Sequence, residues 1–518
     1  MDDDSRDRIS RRAFGQLLGA AALSASLPTA AAAAEPNADC DEALTPSPLT
    51  TSDELCDLSA VELARHIRRK QVSAREVMTA HLARIERVNP RINAIVTVVA
   101  DRAMADAAKS DEWQARGNAL GPLHGLPTAH KDLVRTAGIR TTFGSPLFRD
   151  NVPTADDLIV RRVRAAGAIT LGKTNTPEWG AGSNTFNAVF GATVNPYDHT
   201  KTVGGSSGGA AAALRCGMVP IAGGSDMGGS LRNPAAFNNV VGLRPSPGRV
   251  PDDDGSWLPL ATLGPMARTV ADVALFLSAM AGAHAPDPLM IAEDGARFRA
   301  PLGRSFKGVR VAWFTGLGGI PFEPEITRVV DANRQVFIDL GCIVEEAEPD
   351  FAGVDEAFPI LRHLSYHANH ARQAREHPTM YKDTIKWEIA EAERNTGADV
   401  ARAAARQARL YAETARFFET YEYFVLPVTQ VEPFDIKSEY PTTVNGVALP
   451  TYIDWMRSCW YVTLSACPAI SVPAGFSARG LPVGLQIVGR HRGDWSVLQM
   501  AHAFEQATRH GARRPTLP

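Results

Sequence analysis

The sequence predicts an α/β protein built on one large sheet, and three observations carry that expectation. Short apolar or β-branched runs alternate with amphipathic helical stretches, the pattern of strands buried between covering helices. Hydrophobic residues make up 45% of the 518 residues, enough to build a sizeable core and to exclude disorder as the dominant state. No repeat of solenoid period interrupts the alternation. In chain order, Ser59 ahead of Glu62, Leu63 and Ile67 reads as a capped amphipathic helix, and residues 74–88 read as a second. Residues 94–99 are strand-like, 126–130 form a short strand, 157–166 are helical, and 168–171 are a buried strand. Glycine and serine dominate 203–230, and 354–423 is charged and helical. Strand signals return at 423–428, 469–473 and 483–488.

The N-terminal stretch is set apart from this pattern. Ser10-Arg11-Arg12-Ala13-Phe14 is a twin-arginine pattern, followed by a weakly apolar run that ends at Ala32-Ala33-Ala34. Gln16, Ser24, Ser26, Pro28 and Thr29 break the run, so it falls short of the ~20 apolar residues a membrane span needs. Residues 1–34 are therefore expected to be an export signal and 35–53 an irregular lead-in, with the folded domain at 54–518 and its destination the periplasm or the exterior. Six cysteines, at 40, 56, 216, 342, 459 and 467, contain no C-x-x-C pair, so neither a zinc ribbon nor a redox motif is expected. An oxidising destination would permit a Cys40–Cys56 bridge, which sequence leaves open. With 54 Lys and Arg against 57 Asp and Glu, the net charge of −3 offers no basic face for nucleic acid.

Three motifs compete for the chemistry. Residues 167–174, Gly-Ala-Ile-Thr-Leu-Gly-Lys-Thr, match the phosphate-loop pattern letter for letter, but 168–171 read as strand core and Asn175-Thr176-Pro177 follows where a helix should open. Gly204-Gly205-Ser206-Ser207-Gly208 fits the serine-hydrolase elbow, yet none of the later histidines stands in a triad context. His363, His367 and His370 share one helical face, as metal ligands would, with Arg362, Asn369, Arg372 and Arg375 around them and no H-E-x-x-H pattern. That face reads as solvated or pocket-lining, and no metal is expected.

A fourth constellation is more specific. Val203-Gly204-Gly205-Ser206-Ser207-Gly208-Gly209 is followed by Gly223-Gly224-Ser225-Asp226-Met227-Gly228-Gly229-Ser230-Leu231-Arg232, so two glycine-walled serines stand 24 residues apart, and upstream lies Gly125-Leu126-Pro127-Thr128-Ala129-His130-Lys131. With Gly172-Lys173-Thr174-Asn175, Val241-Gly242-Leu243-Arg244-Pro245, Gly264-Pro265-Met266-Ala267-Arg268 and Ser471-Val472-Pro473-Ala474-Gly475 in the same order, the chain resembles the amidase signature family over about 54–513. The resemblance implies one large mixed, mostly parallel twisted sheet with helices on both faces. It also implies hydrolysis of a carboxylic amide by a Ser-Ser-Lys triad: Ser230 the nucleophile, Ser206 the bridging serine on a cis peptide bond, Lys131 the base. Met227, Gly228, Gly229 and Ser230 match the family's oxyanion-hole segment, Asp226 and Arg232 would anchor that loop, and Ser207 would support the Lys131–Ser206 network. No cofactor is implied. The expected partner is a small-molecule amide, with no nucleic acid and no stable span after signal cleavage, and a homodimer is left open.

The implied chemistry is physically coherent. A serine hydroxyl must lose its proton as it attacks, so an acceptor has to stand beside it. Lysine accepts only when neutral, and bringing its reference pKa of ~10.4 near 7 requires burial worth about 4 kcal/mol. Two departures from the family pattern touch the substrate side: Leu464-Ser465-Ala466-Cys467-Pro468 lacks the usual Asn-x-[TS]-G, and Met227 replaces the more common Thr, Ile or Gln. Trp257 in the loop 252–260, and Trp387, Tyr411 and Phe417 in the helical segment, are candidates for a hydrophobic pocket rim, with ordinary packing as the alternative. The export reading predicts that Arg11→Lys with Arg12→Lys leaves the full-length precursor inside cells. Fractionation that finds the double variant exported as before would refute it.

Overall fold

The alternating runs resolve into eleven strands of a single sheet. They are β1 (Ile95–Val98), β2 (Pro127–Lys131), β3 (Ile169–Thr174), β4 (Ile221–Asp226), β5 (Val241–Arg244), β6 (Thr262–Ala267), β7 (Arg310–Trp313), β8 (Ile343–Glu346), β9 (Tyr423–Pro427), β10 (Ala469–Phe476) and β11 (Pro482–Gly489). Across the sheet the order is β1-β3-β2-β4-β6-β5-β10-β11-β9-β7-β8. The computed structural model describes residues 51–253 and 255–517. The twin-arginine segment, the lead-in up to residue 50 and Cys40 lie outside the described residues.

The sheet is mixed, as expected, and its parallel pairings fall in two blocks. β2 runs parallel to β3 and to β4 on one side, and β7 runs parallel to β9 and to β8 on the other. Between the blocks β4, β6, β5, β10, β11 and β9 pair antiparallel, as β1 does with β3 at the edge. This antiparallel centre is larger than strand–helix alternation alone suggests. It arises because β10 and β11 are joined by only five residues, 477–481, and a short connection returns the chain antiparallel. Strands β2, β3, β5, β9 and β11 are buried at every residue, so both faces of the sheet are covered there.

The N-terminal helices follow their caps. Ala60–Arg68 is capped by Ser59 reciprocally with Glu62, and Ala74–Ile92 by Ser73 with Glu76. One boundary shifts: a further helix, Ser52–Asp57, begins inside the stretch expected to be irregular, because Thr51 and Glu54 form a capping box there. The Pro, Ser and Thr content of 35–53 obscured that pair. Thr50–Pro518 forms one compact unit. The charged segment after residue 353 becomes three helices, Val354–Glu376, Asp383–Arg394 and Gly397–Thr420.

One element brings the Gly/Ser segment to the sheet. The helix Gly208–Arg215 is buried at every residue, and its glycines and alanines let it lie close to the strands. At Gly209 an added Cβ would stand 2.3 Å from the Asn175 nitrogen and 2.7 Å from the Ala94 oxygen, both backbone atoms that cannot swing away. Gly209→Ala is therefore expected to destabilise the fold by about 1–3 kcal/mol or more through overpacking. A denaturant midpoint equal to wild type would show that this packing argument fails.

Candidate active site

Lys131 ends β2, between β3 and β4, and is fully buried. Its Nζ donates to Ser206 Oγ at 2.6 Å and to Ser225 Oγ at 3.0 Å. Burial pulls its pKa from 10.5 down to about 7, opposed in part by the negative charge of Asp226. A shift of that size corresponds to roughly 5 kcal/mol of preference for the uncharged amine over its state in water. At neutral pH a substantial fraction of Lys131 is thus a free base with a lone pair beside Ser206.

Ser206 is buried and follows a cis Gly205–Ser206 peptide bond. The backbone leading to it is tied at successive points: Thr202 Oγ1 accepts from the Gly204 N–H, Thr185 Oγ1 donates to the Gly204 oxygen, and Ser183 Oγ donates to the Gly205 oxygen at 2.6 Å. The next residue, Ser207, joins the two Gly/Ser turns. Its N–H donates to the Ser230 oxygen at 3.1 Å, and its Oγ lies 3.4 Å from both the N and O of Ser225. That approach requires a glycine at 224, where a Cβ would come within 2.5 Å of Ser207 Oγ. Asn233 links the turns a second time, with its Nδ2 donating to Ser183 Oγ at 3.1 Å.

The loop that carries Ser230 is shaped by Asp226. The Asp226 carboxylate accepts from the Gly229 N–H at 2.8 Å, the Leu231 N–H at 3.1 Å and the Arg232 N–H at 3.4 Å, and forms a two-pronged pair with Arg232 Nε and Nη2 at 3.0 and 2.9 Å. Both side chains are fully buried. Burial alone would raise the Asp226 pKa, but the charge and hydrogen bonds of Arg232, with Arg244 beyond, hold it far below the ordinary carboxylate range. Arg232 in turn reaches Gln486 Oε1, the Cys459 oxygen and Thr463 Oγ1, fixing the loop to β11 and the helix Arg457–Leu464.

This geometry corrects one expectation for the oxyanion-hole segment. The Gly229 N–H is already committed to Asp226, because the carboxylate turns back beneath its own loop. Among the described residues the N–H groups of Met227, Gly228 and Ser230 have no such acceptor. Ser230 remains partly exposed. Met227 packs against a buried cluster that includes Tyr366, Tyr381 and Ile385, and Arg362 Nη1 lies 3.4 Å from its sulfur.

A cavity of about 450 Å³ opens at Ser225 and Met227. Its other walls are mixed, with Val250, Leu258, Leu260, Leu263 and Leu289 beside Asp252, Ser256, Thr262 and Asp287 from the 247–289 region, and Ser365, Ala368 and Asn369 from the helix Val354–Glu376. The two segments expected at the rim are thus present, but the four aromatics named for it are not on its wall. Trp257 is 78% exposed, Trp387 packs edge-on to His363 and Tyr452, Tyr411 lies against His491, and Phe417 packs with Phe418, Tyr421 and Phe424. Trp387, Tyr411 and Phe417 went to packing against other rings, where their area stabilises helix contacts, whereas Trp257 faces solvent.

Of the competing motifs, the Gly204–Gly208 turn lies in the site through Ser206, and the other two fall elsewhere. Lys173 is buried at the end of β3, where it donates to the Val134 oxygen and to Thr136 Oγ1, tying down the turn after β2. His363 is buried near Glu388, His367 faces Glu393, and His370 stacks on Trp179 with its pKa pushed by burial down to about 4. Among the described residues no three His, Cys, Asp or Glu side chains gather as a metal-ion site.

A buried amine beside two hydroxyls, next to a glycine-rich loop with free N–H groups, defines a hydrolase site of the hydroxyl-nucleophile class. The comparisons agree and narrow it. The family model described as Amidase matches residues 76–498. An acylamidase from Rhodococcus erythropolis is 38% identical over 470 residues, covering 90% of this chain and 98% of the relative. A glutamyl-tRNA(Gln) amidotransferase subunit of Moorella thermoacetica is 35% identical over 490 residues, covering 90% of this chain and 99% of the relative. Among solved structures, a bacterial aryl acylamidase of the amidase signature family superimposes with a TM-score of 0.82 at 28% identity, covering 89% of this chain and 99% of the other. The chain belongs to the amidase signature family and is a hydrolase acting on the C–N bond of amides.

The Asp226–Arg232 pair yields a stability prediction. Arg232→Met leaves a fully buried carboxylate without its cation, which is expected to cost about 3–5 kcal/mol. Urea unfolding within about 1 kcal/mol of wild type, the ordinary effect of a point substitution, would show that the loop does not depend on this pair.

Proposed function

We propose that the chain hydrolyses an aliphatic or aryl amide through an acyl-enzyme on Ser230, with Ser206 relaying the proton to neutral Lys131. The observation that carries this reading is the fully buried Lys131 amine, 2.6 Å from Ser206 Oγ and with its pKa lowered to about 7. Ser230 attacks the carbonyl carbon as its proton passes to Ser206, whose own proton moves to Lys131. The oxyanion is received by the free N–H groups of Met227, Gly228 and Ser230. The proton then returns through Ser206 to the leaving nitrogen, which departs as an amine or ammonia, and water releases the acid by the same relay in reverse. Ser225 and Ser207 act by holding the Lys131 amine and the two serine turns in register.

The aliphatic part of the cavity wall accommodates an apolar substituent on the substrate. Relatives named acylamidase and aryl acylamidase support the same class. The second reading, a glutamine-hydrolysing component of an amidotransferase, is favoured by the 35% identity to the Moorella protein over nearly its whole length. A turnover screen over alkyl, aryl and peptide amides with glutamine included separates the two. Preference for glutamine would discard the apolar-amide reading.

For the mechanism, Ser230→Ala is expected to abolish covalent labelling by a fluorophosphonate, and a variant that still labels would remove Ser230 as nucleophile. Lys131 works as its free base, so kcat/KM should rise with pH along a limb near pH 7 and fall below it as the amine is protonated. Lys131→Ala should lower kcat by about 10²–10⁴-fold, the range of general-base contributions, and abolish that limb. A limb that persists unchanged in the variant would assign the titration to another group.

A further inference from the structure

A second, larger cavity of about 850 Å³ lies at the end of β11 and the starts of β7 and β9, and it shares no wall residue with the cavity at Ser225 and Met227. Strand β11 is five places from β2 in the sheet, about 24 Å at the ordinary strand spacing. Seven of the side chains in its walls are arginine or lysine and three are glutamate, in a protein whose overall charge is −3. Four of the cations are matched: Arg249 pairs with Glu293 and Asp494, Arg297 with Glu293, Arg304 with Glu422, and Arg310 with Glu345. Lys307, Arg490 and Arg492 have no carboxylate partner among the described residues. All three are exposed, and Glu419 in the same wall has no cation partner among the described residues, so the unmatched side chains leave an excess of two positive charges around the concavity.

The backbone adds to the same field. The helix Asp494–Thr508 begins in this wall at Gly493, which caps it without a side-chain acceptor, and Trp495 and Ser496 of its first turn line the cavity. The positive end of a 15-residue helix therefore points into a concavity that already carries three unmatched cations. Two carboxylates stand at that end and both are engaged: Asp494 turns inward to Arg249 Nε and the Ser246 N–H, and Glu422, paired with Arg304, accepts from Ser496 Oγ at 2.8 Å.

We propose that this cavity binds a compact anion carrying at least two negative charges, of the phosphate or carboxylate type, held by Lys307, Arg490 and Arg492 and by the first N–H groups of the helix Asp494–Thr508. Planar guanidinium groups suit oxyanions of both types, and the volume is that of a small-molecule site. The site is separate from amide hydrolysis, so its test does not depend on how that reaction is assigned.

Titration calorimetry on the purified full chain with pyrophosphate, and in parallel with citrate at matched ionic strength, tests the proposal. The expected result is saturable binding of one anion per chain that weakens as chloride is raised. In Arg490→Ala/Arg492→Ala, and separately in Lys307→Gln, affinity should fall at least tenfold with amide turnover retained. Binding of pyrophosphate alone assigns phosphate chemistry, and of citrate alone carboxylate chemistry. Absence of saturable binding by either anion at millimolar concentration, or equal affinity in wild type and both variants, overturns the site.

Discussion

The site depends on the burial of Asp226 with Arg232. A carboxylate and a guanidinium removed from water are tolerated only when each is satisfied by good hydrogen-bond geometry. Here Asp226 accepts from three successive parts of its own loop as well as from Arg232. That requirement fixes the chain from 226 to 232 and leaves the Met227, Gly228 and Ser230 N–H groups unengaged. The same charge, felt at Lys131, offsets part of the burial effect and keeps the amine near the middle of its titration rather than permanently neutral.

Burial of Lys131 is a collective property. β2 is flanked by β3 and β4, the helix Gly208–Arg215 lies on the strands, and the turn after β2 is pinned by Lys173. Apart from Ser225 at the end of β4, these elements stand behind the cavity wall, yet together they remove the water that would keep the amine charged. The helical segment 354–394 has a different part. It backs Met227 and supplies one wall of the cavity, so in the proposed reaction it bears on which amide fits rather than on how the bond is broken.

Much of the site was legible from residue order. Lys131, Ser206 and Ser230 stand in glycine-framed motifs whose order and spacing rarely arise by chance, and Asp226 and Arg232 bracket the second motif as anchors. Ser225, Ser183 and Asn233 were not legible. Each is one polar residue among many in a Gly/Ser-rich stretch, and its partner lies between 22 and 94 residues away in sequence, so no local signal marks it. Gly229 shows the reverse error. Its place in the motif suggested a free N–H, while the carboxylate three residues earlier had already taken it. The aromatic side chains misled for another reason: hydrophobic character says that a residue seeks burial, not which surface buries it.

The sequence by itself determined the alternation of strands and helices and the capped N-terminal helices, because propensity and capping are local properties, and its ordered motifs carried the family resemblance that implies the reacting side chains of the proposed reaction. The tertiary structure alone decided the antiparallel centre of the sheet, the meeting of two turns 24 residues apart through Ser207 and Ser230, the mixed lining of the cavity and the lowered pKa of Lys131. Those features depend on which distant atoms exclude water and supply hydrogen bonds. Dielectric environment and packing are properties of the assembled chain and of no segment within it.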